Sequence, residues 1–216
     1  MLQGVLKVGF DIDGTLYQRT AEIDNRVQTE IAKRILQKRP ELGSVRSALA
    51  FFQTEYATGR KGGGTVLKEV GYADSSKVMD DCIATADVLD LIQRDEPLVQ
   101  MVHGLASKYS LFVVTSNPRQ IAVKKLDRLG FNGAACFEFL VCSEQGDKRT
   151  GEAFRRALQY SSKGTAPHHH LYVGDSPGAD IEPASAVGMR TVIIDPQTQT
   201  NTYQQLRTIN DLRSIL

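Results

Sequence analysis

The sequence predicts an α/β fold, a doubly wound parallel sheet with a block of helices inserted after its first strand. Three observations carry that prediction. Short apolar runs near residues 5–10, 111–115, 171–173 and 191–194 are hydrophobic at consecutive positions, as strands covered on both faces must be. Beyond the inserted block, strand and helix patterns alternate along the chain. From Arg19 to about Asp95, by contrast, the pattern is helical throughout, with no convincing strand.

Taken in order, Val5 to Phe10 is the first strand, and it runs into Asp11, Ile12, Asp13, Gly14 and Thr15. Two carboxylates one residue apart on extended backbone project to the same side. Their repulsion requires a cation or a shared proton between them. Ile23, Val27, Ile31 and Ile35 recur every four residues, an amphipathic helix closed by Pro40. Val45, Leu49, Phe52 and Tyr56 mark a second helix, and Gly62-Gly63-Gly64 breaks the pattern. Val66 to Val70 is a short helix ended by Gly71, and residues 75–92 read as another. The block is long enough for a small core of its own, so residues 19–95 are expected to form a helical domain, and 1–18 with 96–216 the α/β core.

Within that core, a helix over Leu98 to Tyr109 leads into the strand Leu111–Thr115. Asn117-Pro118 then reads as a helix cap followed by a first-turn proline, and the helix stops at Gly130. Phe137 to Val141 is a strand and Thr150 to Tyr160 a helix. Leu171 to Val173 is a strand ending in Gly174-Asp175, followed by a helix to about Val187 that tolerates Pro183 only in its first turn. After the strand Thr191–Ile194, Leu206, Ile209, Leu212 and Ile215 are spaced for a closing helix.

Composition narrows the function classes. The 216 residues are 41% hydrophobic and 24% charged, with a formal net charge of +1, which leaves no electrostatic footprint for a nucleic-acid polymer or a membrane surface. A small phosphorylated metabolite needs only a local positive site and stays open as a partner. No apolar run approaches a membrane span and the N-terminus lacks a signal peptide, so a cytoplasmic location is expected. Cys82, Cys136 and Cys142 are odd in number and lack metal-ligand spacing, as reduced residues in or near a core would. Nothing here reads out an oligomeric state.

Three apolar strands end in polar residues: Asp11 and Asp13, then Thr115, Ser116 and Asn117, then Asp175 and Ser176. Ligands of such sheets bind beyond the carboxyl ends of the strands, so these groups can converge on one crevice. Three carboxylates there suit Mg²⁺, and a hydroxyl with backbone N–H groups at a helix start suits a phosphate oxygen. Lys148 lies between the second and third strand ends.

On these residues the chain resembles the haloacid dehalogenase-like (HAD) superfamily. Asp11-Ile-Asp-Gly-Thr-Leu, Val114-Thr-Ser-Asn, Lys148 six residues before Phe154, and Gly174-Asp-Ser-Pro-Gly-Ala-Asp180 are similar, in order and spacing, to its four motifs. The residue after the third-motif lysine is usually proline in this branch and is Arg149 here, so both cations are candidates; register to Phe154 favours Lys148. The resemblance implies a HAD-like Rossmannoid core and an aspartyl-phosphate mechanism. Asp11 would be the nucleophile and Asp13 the general acid and base. Mg²⁺ would be held by Asp11, the Asp13 carbonyl and Asp175, while Thr115 and Lys148 stabilise phosphoryl charge. Gly14, Thr15, Ser116 and Asn117 would complete the phosphate site, and Asp180 would orient Lys148 or a metal-bound water. An Asp at position 13 favours phosphate esters, since the dehalogenase and phosphonatase branches lack it.

The helical block falls between the first two motifs, the position of a C1 cap. Glu55-Tyr56 with Lys61-Gly62, and Asp87-Val-Leu-Asp near Glu96-Pro97-Leu98, are similar to the cap of pyrimidine 5′-nucleotidases, which often carry Asn at the position of Gly14. Arg60 and Lys61 are therefore candidate substrate-binding residues, beside the bland reading of a solvated loop. The expected activity is a Mg²⁺-dependent phosphomonoesterase, with nucleoside 5′-monophosphates as a candidate substrate class. The alternatives are a sugar-phosphate or phosphoglycolate phosphatase, a phosphomutase, or a non-catalytic protein of the same fold. His168-His169-His170 reads as loop and strand entry rather than a metal site, because adjacent strand residues cannot all face one ion. The three glycines lack the context of a P-loop.

Overall fold

The computed structural model describes residues 2–57, 62–161, 164–195 and 204–216. Its sheet has six parallel strands in the order β3-β2-β1-β4-β5-β6. These are β1 (Lys7–Phe10), β2 (Ser110–Val114), β3 (Phe139–Val141), β4 (His170–Gly174), β5 (Arg190–Ile194) and β6 (Gln205–Leu206). The helices are α1 (Ala21–Lys38), α2 (Val45–Ala57), α3 (Gly63–Glu69), α4 (Ser75–Thr85), α5 (Glu96–Ala106), α6 (Arg119–Leu129), α7 (Glu152–Tyr160) and α8 (Glu182–Ala186). The chain divides into two compact units, Met1–Gln18 with Ile92–Leu216, and Arg19–Leu91.

In the first unit, side-chain alternation sends strand residues to two cores. Val8, Phe10, Leu111, Val113, Leu171 and Val173 join α5 and α6 on one face. Phe112, Val114, Val141 and Tyr172 join α7 and α8 on the other. That double coverage is why these strands read as continuous apolar runs. The second unit has its own core, built on Ile31, Ile35, Phe52, Val66, Leu67 and Cys82.

Local departures from the sequence reading have local causes. The pattern over 75–92 is helical only to Thr85, because Asp87 takes a left-handed φ of 41° before a short 3₁₀ turn at Leu89–Leu91. The glycine run does not simply interrupt the helices: Gly62 is the N-cap of α3, and Gly63 lies inside it. A Cβ on Gly63 would approach Met79 Sδ to 2.9 Å and Ile31 Cδ1 to 3.2 Å, so the glycine lets α3 sit close to α1 and α4. The expected closing helix is instead the short strand β6 followed by a 3₁₀ helix over Ile209–Ser214, opened by a Thr208–Asp211 capping box.

Asn117 does not cap α6 either. Pro118 occupies the cap position without a side-chain bond, and Glu144 Oε1 accepts the Arg119 N–H at 2.8 Å. The Asn117 carboxamide is used inside the core.

The amino ends of the strands carry a satisfied polar group. Lys7 is buried and pairs with Glu138 at 2.7 Å. His170, fully buried, lies 3.1 Å by Nδ1 from the Ala166 carbonyl, which accepts; Nε2 therefore accepts the Ser161 hydroxyl at 2.8 Å. His169 reaches the Gly4 carbonyl at 2.5 Å. Burial holds the His170 imidazole below its ordinary range, against its backbone contacts and with Lys7 adding to the effect. A histidine kept neutral in the fold takes up a proton more readily when unfolded. Its contribution to stability is therefore complete above about pH 6.5 and is lost as pH falls through the folded value. Urea unfolding of wild type against His170→Asn between about pH 5 and 7.5 should show the wild type losing stability more steeply on the acid side. Parallel profiles would show that His170 is not the titrating group.

Candidate active site

Register brings the polar residues to one edge. Phe10 pairs with Val113 of β2 and Val173 of β4, so Asp11, Thr115 and Asp175 all emerge at the carboxyl ends of adjacent strands. This is where strand order reverses, and where an open α/β sheet leaves its crevice. Asp11 N–H donates to the Val173 carbonyl and Thr115 N–H to the Val141 carbonyl, both at 2.9 Å. The turn after Asp11 is tight: Gly14 has φ 83°, its N–H donates to the Tyr17 carbonyl, and a Cβ there would meet Asp175 Oδ2 at 2.1 Å. Glycine at 14 thus lets two strand ends close on each other.

Lys148 lies at the centre. It follows β3, just before Gly151 starts α7, and its Nζ donates to Asp11 Oδ1 at 2.8 Å and to Asp180 Oδ1. Its side chain is 3% exposed. Burial alone would lower the Lys148 pKa, but Asp11 and Asp180 outweigh it and hold the ammonium charged. Phe154 stacks edge-on against Tyr172, whose ring lies 5.6 Å from the Lys148 ammonium. Tyr172 donates to the Val114 carbonyl at 2.7 Å and lies 3.3 Å from Asp180 Oδ1, while the Ser176 N–H donates to Asp180 Oδ2 at 3.0 Å. Arg149, the other candidate cation, is exposed.

The Asp11 and Asp13 carboxylates pair with different lysines. Asp13 has its own lysine, Lys125 of α6, at 2.6 Å. Its Oδ1 also accepts from the Tyr17 hydroxyl, and its Oδ2 from Asn117 Nδ2. Burial pushes the Asp13 carboxyl up, but Lys125, Tyr17 and Asn117 together hold it well below the usual carboxylate range. Asp11 behaves oppositely. Burial and the like charges of Asp180, Asp175 and Asp13 outweigh Lys148 and push it up to about 8. Two carboxylates two residues apart are thus driven in opposite directions by their surroundings.

Asp11, Asp175 and Asp180 offer oxygens that all lie within 4.8 Å of one another. An all-oxygen donor set of this kind fits a hard divalent cation. Among the described residues no histidine joins such a cluster. The Thr15 hydroxyl is buried and unpaired among the described residues. Ser116 is exposed, and the Asn117 N–H donates to Thr115 Oγ1 at 3.2 Å. Arg60 and Lys61 fall outside the described residues.

Lys125 is the residue that sequence reasoning missed. It follows another lysine and reads as a solvated helix position. Its phase gives it away: Ala122, Lys125, Leu126 and Leu129 form one buried stripe of α6.

A family model described as haloacid dehalogenase-like hydrolase matches residues 8–194. No curated protein sequence matches. Among solved structures, a HAD phosphatase from Thermococcus onnurineus superimposes with a TM-score of 0.66 at 21% identity, covering 98% of this chain and 97% of its own. The HAD hydrolase YfnB from Bacillus subtilis, bound to magnesium, gives 0.62 at 20% identity over 98% of each chain. A 2-haloacid dehalogenase from Pseudomonas syringae gives 0.60 at 22% identity, covering 98% of this chain and 97% of its own. At these identities the structures establish the fold, and both reaction types occur on it.

Removing the shared ammonium should leave two buried carboxylates facing each other. Lys148→Met is expected to lower stability by on the order of 3 kcal/mol in metal-free protein, measured by urea unfolding in EDTA. Arg149→Met, at an exposed position, should change it by less than about 0.5 kcal/mol. Equal effects would mean that Lys148 does not hold the cluster together.

Proposed function

We propose that this chain, which belongs to the haloacid dehalogenase-like hydrolases, is a magnesium-dependent phosphomonoester hydrolase working through a phosphorylated Asp11. The observation that carries this reading is the second carboxylate. Asp13 is held by three donors two residues beyond Asp11. A halide leaves without a proton, whereas an alkoxide needs one. A carboxylate fixed at that position has work to do in ester cleavage and none in dehalogenation.

In this reading an Asp11 oxygen attacks phosphorus while the bond to the ester oxygen breaks. That oxygen leaves with the electron pair and takes a proton relayed by Asp13. The monoanionic ester brings that proton in, because Lys125, Tyr17 and Asn117 keep the resting Asp13 carboxyl ionised. Asp13, now a carboxylate, removes a proton from a water that attacks the same phosphorus. The P–O bond to Asp11 breaks, and Asp11 and orthophosphate are released. Lys148 and the hydroxyls of Thr115 and Thr15, with the Ser116 backbone, receive the charge on the non-bridging oxygens. Mg²⁺ held by Asp11, Asp175 and the Asp13 carbonyl would screen the repulsion between the nucleophile and the phosphate dianion. Asp180 keeps Lys148 directed at Asp11.

The helical unit takes the role of a cap that selects the leaving group, since the core groups touch only what all phosphomonoesters share. Its likeness to pyrimidine nucleotidase caps supports nucleoside 5′-monophosphates as the substrate class, with Arg60 and Lys61 as donors to the base or sugar. Sugar phosphates and phosphoglycolate are the competing substrates.

The purified protein with Mg²⁺ should release phosphate from monoesters, and fastest from nucleoside 5′-monophosphates. EDTA should abolish release and Mg²⁺ restore it. Asp11→Asn should remove activity, and with it the hydroxylamine-labile phosphoprotein formed on quenching, while keeping the wild-type circular dichroism. Full activity in EDTA or in Asp11→Asn would end the mechanism. A sugar phosphate or phosphoglycolate as best substrate would end the nucleotide assignment alone. Lys61→Ala should raise KM for the best substrate well beyond its effect on p-nitrophenyl phosphate; equal loss on both would place Lys61 elsewhere.

A further inference from the structure

Lys125 is a buried charge that the mechanism above does not use. Its side chain is 4% exposed, and its ammonium donates to Asp13 Oδ1 at 2.6 Å and to Asn117 Oδ1 at 2.8 Å. An ammonium has only protons to offer and no lone pair to accept with. The Asn117 oxygen must therefore face Lys125. With the amide reversed, its NH₂ would meet the ammonium and its oxygen would meet the Asp13 carboxylate.

That constraint propagates. With Oδ1 on Lys125, Asn117 Nδ2 points at Asp13 Oδ2 and at Thr115 Oγ1, the latter at 2.7 Å. Thr115 Oγ1 accepts a second proton from the Asn117 N–H at 3.2 Å. Its two lone pairs are then used, so Thr115 can only donate. No described residue accepts that proton, and Thr115 stands at the end of β2, beside the strand that carries Asp11.

We propose that Lys125 is a positioning residue for the reaction. As the donor-only root of the chain Lys125–Asn117–Thr115, it compels Thr115 to present its hydroxyl proton to a phosphoryl oxygen, and it fixes the Asp13 carboxylate in place. The proposal rests on the phosphomonoesterase reading for its substrate, whereas the direction of the hydrogen-bond chain does not depend on it. Lys125 does not reach the phosphoryl group and acts through Thr115, Asn117 and Asp13.

Two measurements test it. In ¹⁵N-labelled wild-type protein without substrate, the Asn117 side-chain amide protons should exchange with solvent at least about tenfold more slowly than those of an exposed asparagine, since both have acceptors. Rapid exchange in the wild type overturns the proposal without any variant having to fold. In steady-state kinetics on p-nitrophenyl phosphate, Lys125→Met should lower kcat by about tenfold or more, with KM changed less than about threefold. Adding Lys125→Met to Thr115→Val should cost clearly less than Lys125→Met costs the wild type, because one of the two groups it directs is already gone. Independent, multiplying losses would make Lys125 a structural residue and overturn the proposal, as would an unchanged kcat in Lys125→Met. A wild type with slow amide exchange that releases phosphate from no ester would leave the chain direction standing and bring down the phosphomonoesterase reading instead.

Discussion

At the carboxyl edge of the sheet, one buried ammonium holds Asp11 and Asp180 with Asp175 close beside them, and the neighbouring bonds are arranged around that crowding of like charge. Burial, with the like charges of Asp180, Asp175 and Asp13, outweighs Lys148, so Asp11 is left with a raised proton affinity. A stable fold has no need of such an arrangement, and perturbed carboxylates of this kind gather at functional sites. The surrounding bonds serve to keep the crowding in place. Tyr172, Ser176 and Lys148 all bind Asp180, which stops it from turning away from its like-charged neighbours. The edge-on pair of Phe154 and Tyr172 extends that support into the core.

Against this, the Asp13 side is over-supplied with donors. Lys125, Tyr17 and Asn117 converge on a single carboxylate. The backbone gives the two aspartates the same heading, but helix α6 brings its own lysine to one of them. The opposite pulls on the two carboxyls are thus set by the lysine each one meets rather than by the strand that bears both.

Much of this could be read in the sequence because its signals are short-ranged or ordered along the chain. Strand ends with polar residues mark a crevice whatever their separation, since parallel topology collects them at one edge. Lys148 was legible by its spacing to Phe154, which packs on Tyr172 beside it. Lys125 was not, because a charged residue on a helix is read as solvated unless its phase is checked against its buried neighbours. Asn117 misled for a related reason: an asparagine before a proline is a good cap by local chemistry, but a buried lysine eight positions on competes for its oxygen. The two-residue strand β6 is too short for any periodicity to show, and the glycine run hides a helix whose close approach only the packing partners reveal.

The contact between Gly14 and Asp175 has a historical side. A β-carbon at position 14 would occupy the space of the Asp175 carboxylate, so the two positions cannot drift independently. Any lineage that gained a side chain at 14 had first to move or replace the aspartate across the crevice, and any lineage that lost the side chain became free to draw that aspartate in. An asparagine introduced at 14 would push the Asp175 carboxylate into another rotamer, away from Asp11 and Asp180, whereas a glycine set in its place would leave that aspartate free to return.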